Sequence, residues 1–173
     1  MVLSQLTGKE PYWFLFARGG RSLVTSYRPV SLTSVACKQM EHVIASYLRQ
    51  VWDKYDWLYE GQHRFRPGYS CENQVITVCQ DIADSTDKGD RIDAIVIGFS
   101  KAFDLVPHDR LLMKIAISGV DSTVVAWVRE FLLVRTQRVK VGWQLSEEVR
   151  VTYVVPQGSV LGPLVFLAYV NDI

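Results

Sequence analysis

The chain has 173 residues, 49% of them hydrophobic, which is enough to enclose one substantial core. Its 19 basic and 18 acidic residues give a formal net charge of +1, which excludes a globally polybasic or polyacidic protein but not a locally basic surface. No apolar run reaches the roughly 20 residues that a membrane-spanning helix needs, so we expect no membrane partner.

The three cysteines indicate reduced thiols rather than a disulfide framework or a metal site. Cys37, Cys71 and Cys79 are odd in number, form no CxxC pair and, with three scattered histidines, match no zinc pattern. We therefore expect mostly packed, reduced thiols in an intracellular protein.

The first half of the chain predicts two helices after an irregular start. Residues 1–26 follow neither helical nor strand periodicity, and residues 27–34 (YRPVSLTS) predict extended chain around a proline. Residues 34–55 predict a helix with one buried face at the 3- and 4-residue spacing, formed by Met40, Val43, Ile44, Tyr47, Leu48 and Val51. A loop over residues 61–68 precedes a second helix, over residues 70–85, with four inward side chains, namely Val75, Val78, Cys79 and Ile82.

The middle of the chain predicts a buried strand and two short helices. Residues 92–99 (IDAIVIGF) are apolar, which predicts a buried strand that runs into a turn. A helix is predicted over residues 109–117, and Asp121 or Ser122 is expected to cap the next one.

The last part predicts a hairpin, a loop and a helix. Residues 136–141 and 149–155 alternate well enough for two strands joined around Gly142. The glycine-rich segment over residues 156–163 (PQGSVLGP) then leads into a helix over residues 164–173. Because strands and helices do not alternate as regular β-α-β units, the predicted fold class is α+β.

Four motifs occur in the order found in reverse transcriptases of non-LTR (LINE-type) retrotransposons. Residues 27–34 resemble the first fingers motif of that family, and residues 62–71 (QHRFRPGYSC) resemble the block that follows it. Residues 97–104 (IGFSKAFD) resemble the first catalytic motif, and residues 155–163 (VPQGSVLGP) resemble the loop beneath the nascent base pair. The resemblance covers about residues 21–173 and identifies the chain as a member of this family.

The resemblance implies an RNA-directed DNA polymerase with a right-hand fold that acts by two-metal nucleotidyl transfer. It divides the chain into a divergent N-terminal segment (1–26), a fingers-like part (27–91) and a palm-like part (92–173) that is incomplete at its C-terminus. An RNA template, a DNA primer and Mg²⁺ are the implied partners and cofactor. The life cycle of such an element implies an intracellular protein of the nucleus or the cytoplasm.

The same resemblance assigns roles to individual residues. Arg28 would face the template or the incoming triphosphate, and Phe103 would be an aromatic gate against the sugar 2′ position. Gln157 and Gly158 would contact the incoming nucleotide and the template strand.

Basic residues near aromatic ones suit phosphate contact and base stacking, with an ordinary solvated surface as the alternative. These basic residues are Arg64, Arg66, Arg135, Arg138 and Lys140.

The carboxylates of the family's metal site are not intact in this sequence. Gly98 stands where the family has its first metal-binding aspartate, and glycine offers magnesium only a neutral backbone carbonyl. We expect Asp104 to accept a hydrogen bond as a turn or helix N-cap residue. Residues 169–172 (YVND) are expected to be a helix end, since the Tyr/Phe-x-Asp-Asp hairpin of the family lies beyond that helix and is missing from these 173 residues.

These departures leave three interpretations of the chain. The first is an inactive fragment of a reverse transcriptase domain, with no intact catalytic residue and no bound Mg²⁺. The second is a non-catalytic nucleic-acid-binding or interaction module derived from that domain. The third is the amino-terminal part of a polymerase whose remainder is encoded separately.

Overall fold

Helices and strands are mixed along the chain, which confirms the α+β class. The structure, a computed structural model, describes residues 12–17, 27–31, 33–133, 135–141, 143–151, 153 and 155–172. The strands are β1 (Tyr12–Ala17), β2 (Tyr27–Ser31), β3 (Arg135–Val141), β4 (Gln144–Leu145) and β5 (Val149–Val151). The α-helices are α1 (Val35–Lys54), α2 (Cys71–Asp87), α3 (His108–Ile117), α4 (Ser122–Leu132) and α5 (Gly162–Val170), and a 3₁₀ helix spans Ala102–Leu105. No helix within these ranges is both long enough and apolar enough to cross a membrane.

The sheet joins segments that lie far apart in the sequence. Its strand order is β2-β1-β3-β4, and β5 also pairs with β3. β1 and β2 are antiparallel, with Ala17 opposite Tyr27, whereas β1 and β3 are parallel, with Tyr12 opposite Arg138. β3 pairs antiparallel with β4 and β5, which confirms the predicted hairpin. β1 was not predicted, although it is rich in the aromatic residues that favour strands.

Helix α1 carries the central buried face of the described structure. Ser34 caps it, because its Oγ accepts a hydrogen bond from the backbone N–H of Cys37 at 3.2 Å. The buried side chains are Cys37, Glu41, Ile44, Ala45, Leu48 and Trp52. The predicted helix is confirmed, but its buried face is rotated from the prediction, since Val43 is 61% exposed. At the C-terminal end, the Trp52 indole donates a hydrogen bond from Nε1 to the Ser118 Oγ at 2.8 Å.

Helix α2 forms where the sequence predicts it, but its burial was predicted wrongly. Ser70 caps the helix by accepting from the backbone N–H of Asn73 at 3.1 Å, and Gly89, with a φ of 81°, follows its end. The helix contains no buried residue. All four side chains expected to point inward are exposed, namely Val75, Val78, Cys79 and Ile82. The expectation of mostly packed thiols is therefore wrong for Cys71 and Cys79, which are exposed, and right for Cys37.

Residues 92–99 do not form the buried strand that was predicted. They are assigned to no strand, and every one of them is exposed. Ile95 and Val96 are 86% and 95% exposed. The apolar sequence is typical of a strand, but a strand also needs a partner for its backbone groups, and within the described residues no segment pairs with this one.

Helices α3, α4 and α5 complete the core with α1. Asp121 caps α4 as predicted, because its Oδ1 accepts from the backbone N–H of Thr123 at 2.8 Å. The same backbone hydrogen bond lowers the pKa of the Asp121 carboxyl. The fully buried residues that these helices contribute are Leu111, Ile115, Val128, Phe131, Leu132, Val165 and Ala168. The loop that precedes α5 carries predicted site residues and contributes Val155 and Leu161 to this core.

Candidate functional site

The loop before α5 is a closed turn held by its own side chains. The Ser159 hydroxyl donates to the Pro156 carbonyl at 2.8 Å and accepts from the Gly162 N–H at 2.9 Å. At its start, the Val155 N–H donates to the Phe103 carbonyl at 3.0 Å. The loop is therefore anchored to the segment that follows Gly98.

Gln157 connects three of the four sequence motifs. Its carbonyl accepts two hydrogen bonds from Ser31, one from the backbone N–H and one from Oγ, each at 2.9 Å. Its side chain donates from Nε2 to Oδ1 of Asp104 at 2.9 Å. The first fingers motif, the first catalytic motif and the glycine-rich loop thus meet at one residue. Asp104 is an acceptor, as predicted, but it lies inside the 3₁₀ helix whose N-cap is Lys101, so the N-cap alternative of that prediction is wrong.

Gly158 is required by the packing of the loop on β2. Its φ is 90°, in the left-handed region that side chains disfavour. A Cβ atom there would lie 2.9 Å from Cγ1 of Val30 and 3.3 Å from the Ser31 carbonyl oxygen. The backbone at this glycine thus approaches β2 of the same chain closely.

Phe103 lies in a row of three aromatic rings. It stacks on Phe166 with a centroid distance of 4.2 Å and an interplanar angle of 19°. The ring of Phe65 meets it edge-on at 6.2 Å. Phe103 is half-buried and Phe65 is exposed, so the row leads from the core beside α5 to the surface.

Two of the predicted phosphate-contacting residues flank this row. The Arg64 guanidinium lies 5.1 Å from the Phe65 ring centre, and that of Arg66 lies 4.4 Å from the Tyr69 ring centre. Arg66 also donates to the Tyr59 carbonyl at 3.0 Å, which ties down the loop. We call Arg64, Phe65, Arg66 and Tyr69 the aromatic–basic surface.

A cavity of about 160 Å³ opens beside the aromatic–basic surface. It is lined by Arg49, Asp53, Leu58, Phe65, Arg66, Pro67, Tyr69 and Leu164. Two guanidinium groups and two aromatic rings in one cavity are suited to a planar group that carries negative charge.

Two of the other predicted cationic residues, Arg135 and Arg138, have partners elsewhere in the structure. Arg138 pairs with Glu148 at 3.0 Å in the hairpin. Arg135 is buried and donates from Nε to the Phe131 carbonyl at 2.6 Å, so the prediction that it contacts nucleic acid is wrong. Arg28 lies in β2 opposite Phe16, and Lys140 lies in β3 opposite Leu145, while both side chains lie outside the described part of the structure.

Residues 169–172 form a helix end, as predicted. Asn171 follows α5 and binds the chain near residue 58, since it accepts from the Tyr59 N–H and donates to the Trp57 carbonyl, both at 2.8 Å. Asp172 forms an ion pair with Lys114, which lowers the pKa of the carboxyl through a hydrogen bond. No pattern in the sequence signalled these partners, because they lie more than 50 residues away.

Comparison with known proteins identifies the family. The sequence model described as "Reverse transcriptase (RNA-dependent DNA polymerase)" matches residues 17–173. The chain belongs to the reverse transcriptase family. It is 32% identical over 148 residues to a probable RNA-directed DNA polymerase from transposon BS of Drosophila melanogaster, covering 86% of this chain and 16% of that protein. It is 30% identical over 172 residues to the RNA-directed DNA polymerase from mobile element jockey of the same organism, covering 99% and 18%.

This reverse transcriptase chain spans less than a fifth of the length of those relatives. The family prediction, a non-LTR retrotransposon reverse transcriptase, is confirmed by these matches.

The side chains do not fit the magnesium ions that the family implies. Within the described ranges, no three His, Cys, Asp or Glu side chains come together as a metal site. Gly98 supplies no side-chain ligand, and a Cβ at that position would meet no atom within 4 Å. Asp104 is engaged by Gln157, and Asp172 is engaged by Lys114. The chemistry of this donor set gives no pair of carboxylates free to bridge two ions.

Proposed function

We propose that this chain is a reverse transcriptase domain that does not catalyse nucleotide transfer by itself. The single observation that carries the proposal is Gly98, an exposed glycine at the position of the family's first metal-binding carboxylate. Two-metal transfer needs carboxylates that bridge a pair of ions about 4 Å apart. If the missing ligand contributed about 4–7 kcal/mol to the transition state, the rate would be lower by about 10³–10⁵.

Primer extension tests the absence of catalysis. The full chain is incubated with a primed RNA template, deoxynucleotides and Mg²⁺ or Mn²⁺, and extension is compared with a heat-denatured sample. We expect no template-dependent product from the natural sequence, and a product above the control would contradict the proposal. Gly98→Asp and the uncharged, isosteric Gly98→Asn form a matched pair, and activity in the first alone would assign the defect to the missing carboxylate.

We further propose that the described residues are part of a right-hand polymerase fold. Residues 27–91 are then its fingers-like part, and residues 92–173 are its palm-like part. The contacts of Gln157 with Ser31 and Asp104 support this division, because they join one motif of the first part to two motifs of the second. The parallel pairing of β1 with β3 connects the N-terminal strands to the hairpin in one sheet.

A second candidate function is nucleic-acid binding without chemistry, and the aromatic–basic surface favours it. Arg64 and Arg66 present cations beside exposed Phe65 and Tyr69 rings, a combination that suits phosphate contact and base stacking on single strands. RNA template and DNA primer are the ligands of the relatives' named activity, so single-stranded RNA and DNA are the probes of choice. The proposed contact is weak and salt-dependent.

Fluorescence anisotropy with labelled single-stranded RNA tests the second function. In a plot of the logarithm of the association constant against the logarithm of the salt concentration, each arginine that contacts a phosphate is expected to contribute about −0.7 to the slope. Arg64→Ala and Arg66→Ala should each make that slope shallower. Phe65→Leu should weaken binding but leave the slope unchanged. Arg129→Ala removes an exposed cation on α4 and is the matched control. An affinity that does not change between low and moderate salt would contradict this function.

A further inference from the structure

A carboxylate is buried where the glycine-rich loop enters α5. Glu41, on α1, is fully buried. Its Oε2 accepts from the backbone N–H of Val160 at 2.6 Å and from that of Leu161 at 3.0 Å. The first N–H groups of a helix have no partner within the helix, and the helix dipole favours a negative charge there. Glu41 therefore satisfies two backbone donors at the start of α5, one of them buried and the other partly buried.

The surroundings of Glu41 are arranged around its charge. The Cys37 thiol donates to Oε1 at 3.4 Å. Burial, and then the charge of Glu41, raise the pKa of Cys37 to about 12, so this thiol stays protonated and remains a donor. Burial lowers the pKa of the Arg135 guanidinium, and the nearby Glu41 carboxylate opposes this by favouring the charged form. A buried charge is costly without partners, and here it has several.

The position of the loop follows from this arrangement. Gln157 is bound on one side by Ser31 and Asp104, and it lies only three positions before Val160, which Glu41 binds. Three residues span at most about 10 Å, and the Ser159 hydroxyl closes them into a turn. A displacement of the loop at residues 160–161 therefore displaces Gln157.

We propose that Glu41 is a positioning residue: through Val160 and Leu161 it holds Gln157 against Ser31 and Asp104. The proposal rests on the proposed function only for its consequence, which is that the loop presents Gln157 to a bound nucleic acid. Glu41 itself touches no ligand, and its effect is transmitted through the loop.

Amide hydrogen exchange followed by NMR tests the proposal on the free protein. Glu41→Met keeps the volume of the side chain and removes both acceptors, while Glu41→Gln keeps an acceptor oxygen. In Glu41→Met, exchange at the Val160 and Leu161 amides should accelerate by about tenfold to a hundredfold relative to amides of α3 and α4. The Ser31 amide, which donates to Gln157 and does not touch Glu41, should accelerate with them.

The Ser31 amide distinguishes positioning from simple capping of α5. The Gln157 side-chain amide resonance should move in the same variant, and Glu41→Gln should restore most of the protection at all three backbone amides. Leu48→Ala is the matched control, because it removes buried apolar contacts of α1 two turns away and should accelerate no loop amide preferentially. Faster exchange at the Val160 and Leu161 amides with unchanged exchange at the Ser31 amide would overturn the proposal. It would also be overturned if Glu41→Gln accelerated exchange at these amides as much as Glu41→Met does.

A measurement on the natural sequence covers the case in which Glu41→Met does not fold. Under increasing denaturant below the unfolding transition, the amides of Ser31, Val160 and Leu161 should exchange through one common opening. Openings of clearly different free energy would overturn the proposal. A failure to bind RNA would remove the proposed nucleic-acid-binding function and leave these exchange results standing. If the natural chain binds RNA, Glu41→Met should bind it about tenfold more weakly, measured at a temperature at which the variant is folded. Leu48→Ala should not weaken RNA binding.

Discussion

Replacement of Gly158 by alanine tests whether the glycine-rich loop packs on β2 as described. The φ of this residue is 90°, so any side chain meets an unfavourable backbone conformation. The added Cβ would also lie 2.9 Å from Cγ1 of Val30 and 3.3 Å from the Ser31 carbonyl oxygen. The Ser31 oxygen belongs to backbone and cannot rotate away, so either the loop or the end of β2 has to shift.

The expected cost of Gly158→Ala has two parts. A left-handed conformation costs a non-glycine residue about 1–2 kcal/mol, and overpacking costs about 1–3 kcal/mol. The free energy of unfolding should therefore fall by about 2–5 kcal/mol. Gly68→Ala is the matched control, because Gly68 has a φ of 80° but a Cβ added there would meet no atom within 4 Å, so this variant should lose only the backbone part.

Urea denaturation followed by tryptophan fluorescence measures both costs, since Trp52 is fully buried and reports on the core. The difference between Gly158→Ala and Gly68→Ala isolates the contact with β2. Val30→Ala removes the Cγ1 atom, so the double variant Val30→Ala/Gly158→Ala should recover part of that difference. Equal destabilisation by the two glycine substitutions, without recovery in the double variant, would refute the packing of the loop on β2.

Gly98, Cys37 and the metal give three further predictions. Gly98→Asp should change the free energy of unfolding by less than about 0.5 kcal/mol in urea denaturation, because the position is exposed and open. Because the pKa of Cys37 is raised to about 12 from the usual 9.0, folding stability should fall as pH rises from 9 towards 12, and a urea titration of Cys37→Ala should lack that fall. Added Mg²⁺ should leave the thermal midpoint unchanged at constant ionic strength, and a concentration-dependent rise would indicate a site.

Local signals in the sequence predicted the helices well. Ser34, Ser70 and Asp121 were placed next to the starts of α1, α2 and α4, and each side chain does accept a hydrogen bond from an N–H of the first turn. Such caps depend on residues two or three positions apart, so the sequence contains the whole interaction. Gly119, with a φ of 81°, follows the end of α3.

Burial could not be predicted from the same patterns. The apolar spacing of Val75, Val78 and Ile82 predicts that one face of α2 avoids water, but it does not say what covers that face. Residues 92–99 present the same problem, since their apolar character predicts a strand while the partner strand has to come from elsewhere. The structure shows both segments exposed within the described residues. Periodicity therefore predicted the correct helix and the wrong environment.

The site could be predicted only as a set of motifs, because its contacts are long-range. The resemblance implied that Phe103 and Gln157 both face a nucleotide, and the Val155–Phe103 and Gln157–Asp104 hydrogen bonds bring their two motifs together. The role of Glu41 could not be predicted in this way, since its partner amides are 119 and 120 residues away. A glutamate on an otherwise apolar helix face was the one available signal.

The hydrogen bond between Gln157 and Asp104 gives the carboxylate in the turn after Gly98 an uncharged partner. Two carboxylates placed together to bind a cation repel each other when the cation is absent, and one of them then tends to take up a proton. With glycine at position 98, Asp104 has no such neighbour in its own motif, and an uncharged amide donor satisfies it instead. The same amide belongs to the loop that Glu41 holds, so the turn after Gly98 is stabilised from within the chain. Asp104 and Gln157 thus form a hydrogen-bonded contact between a carboxylate and an amide, which joins the first catalytic motif to the glycine-rich loop.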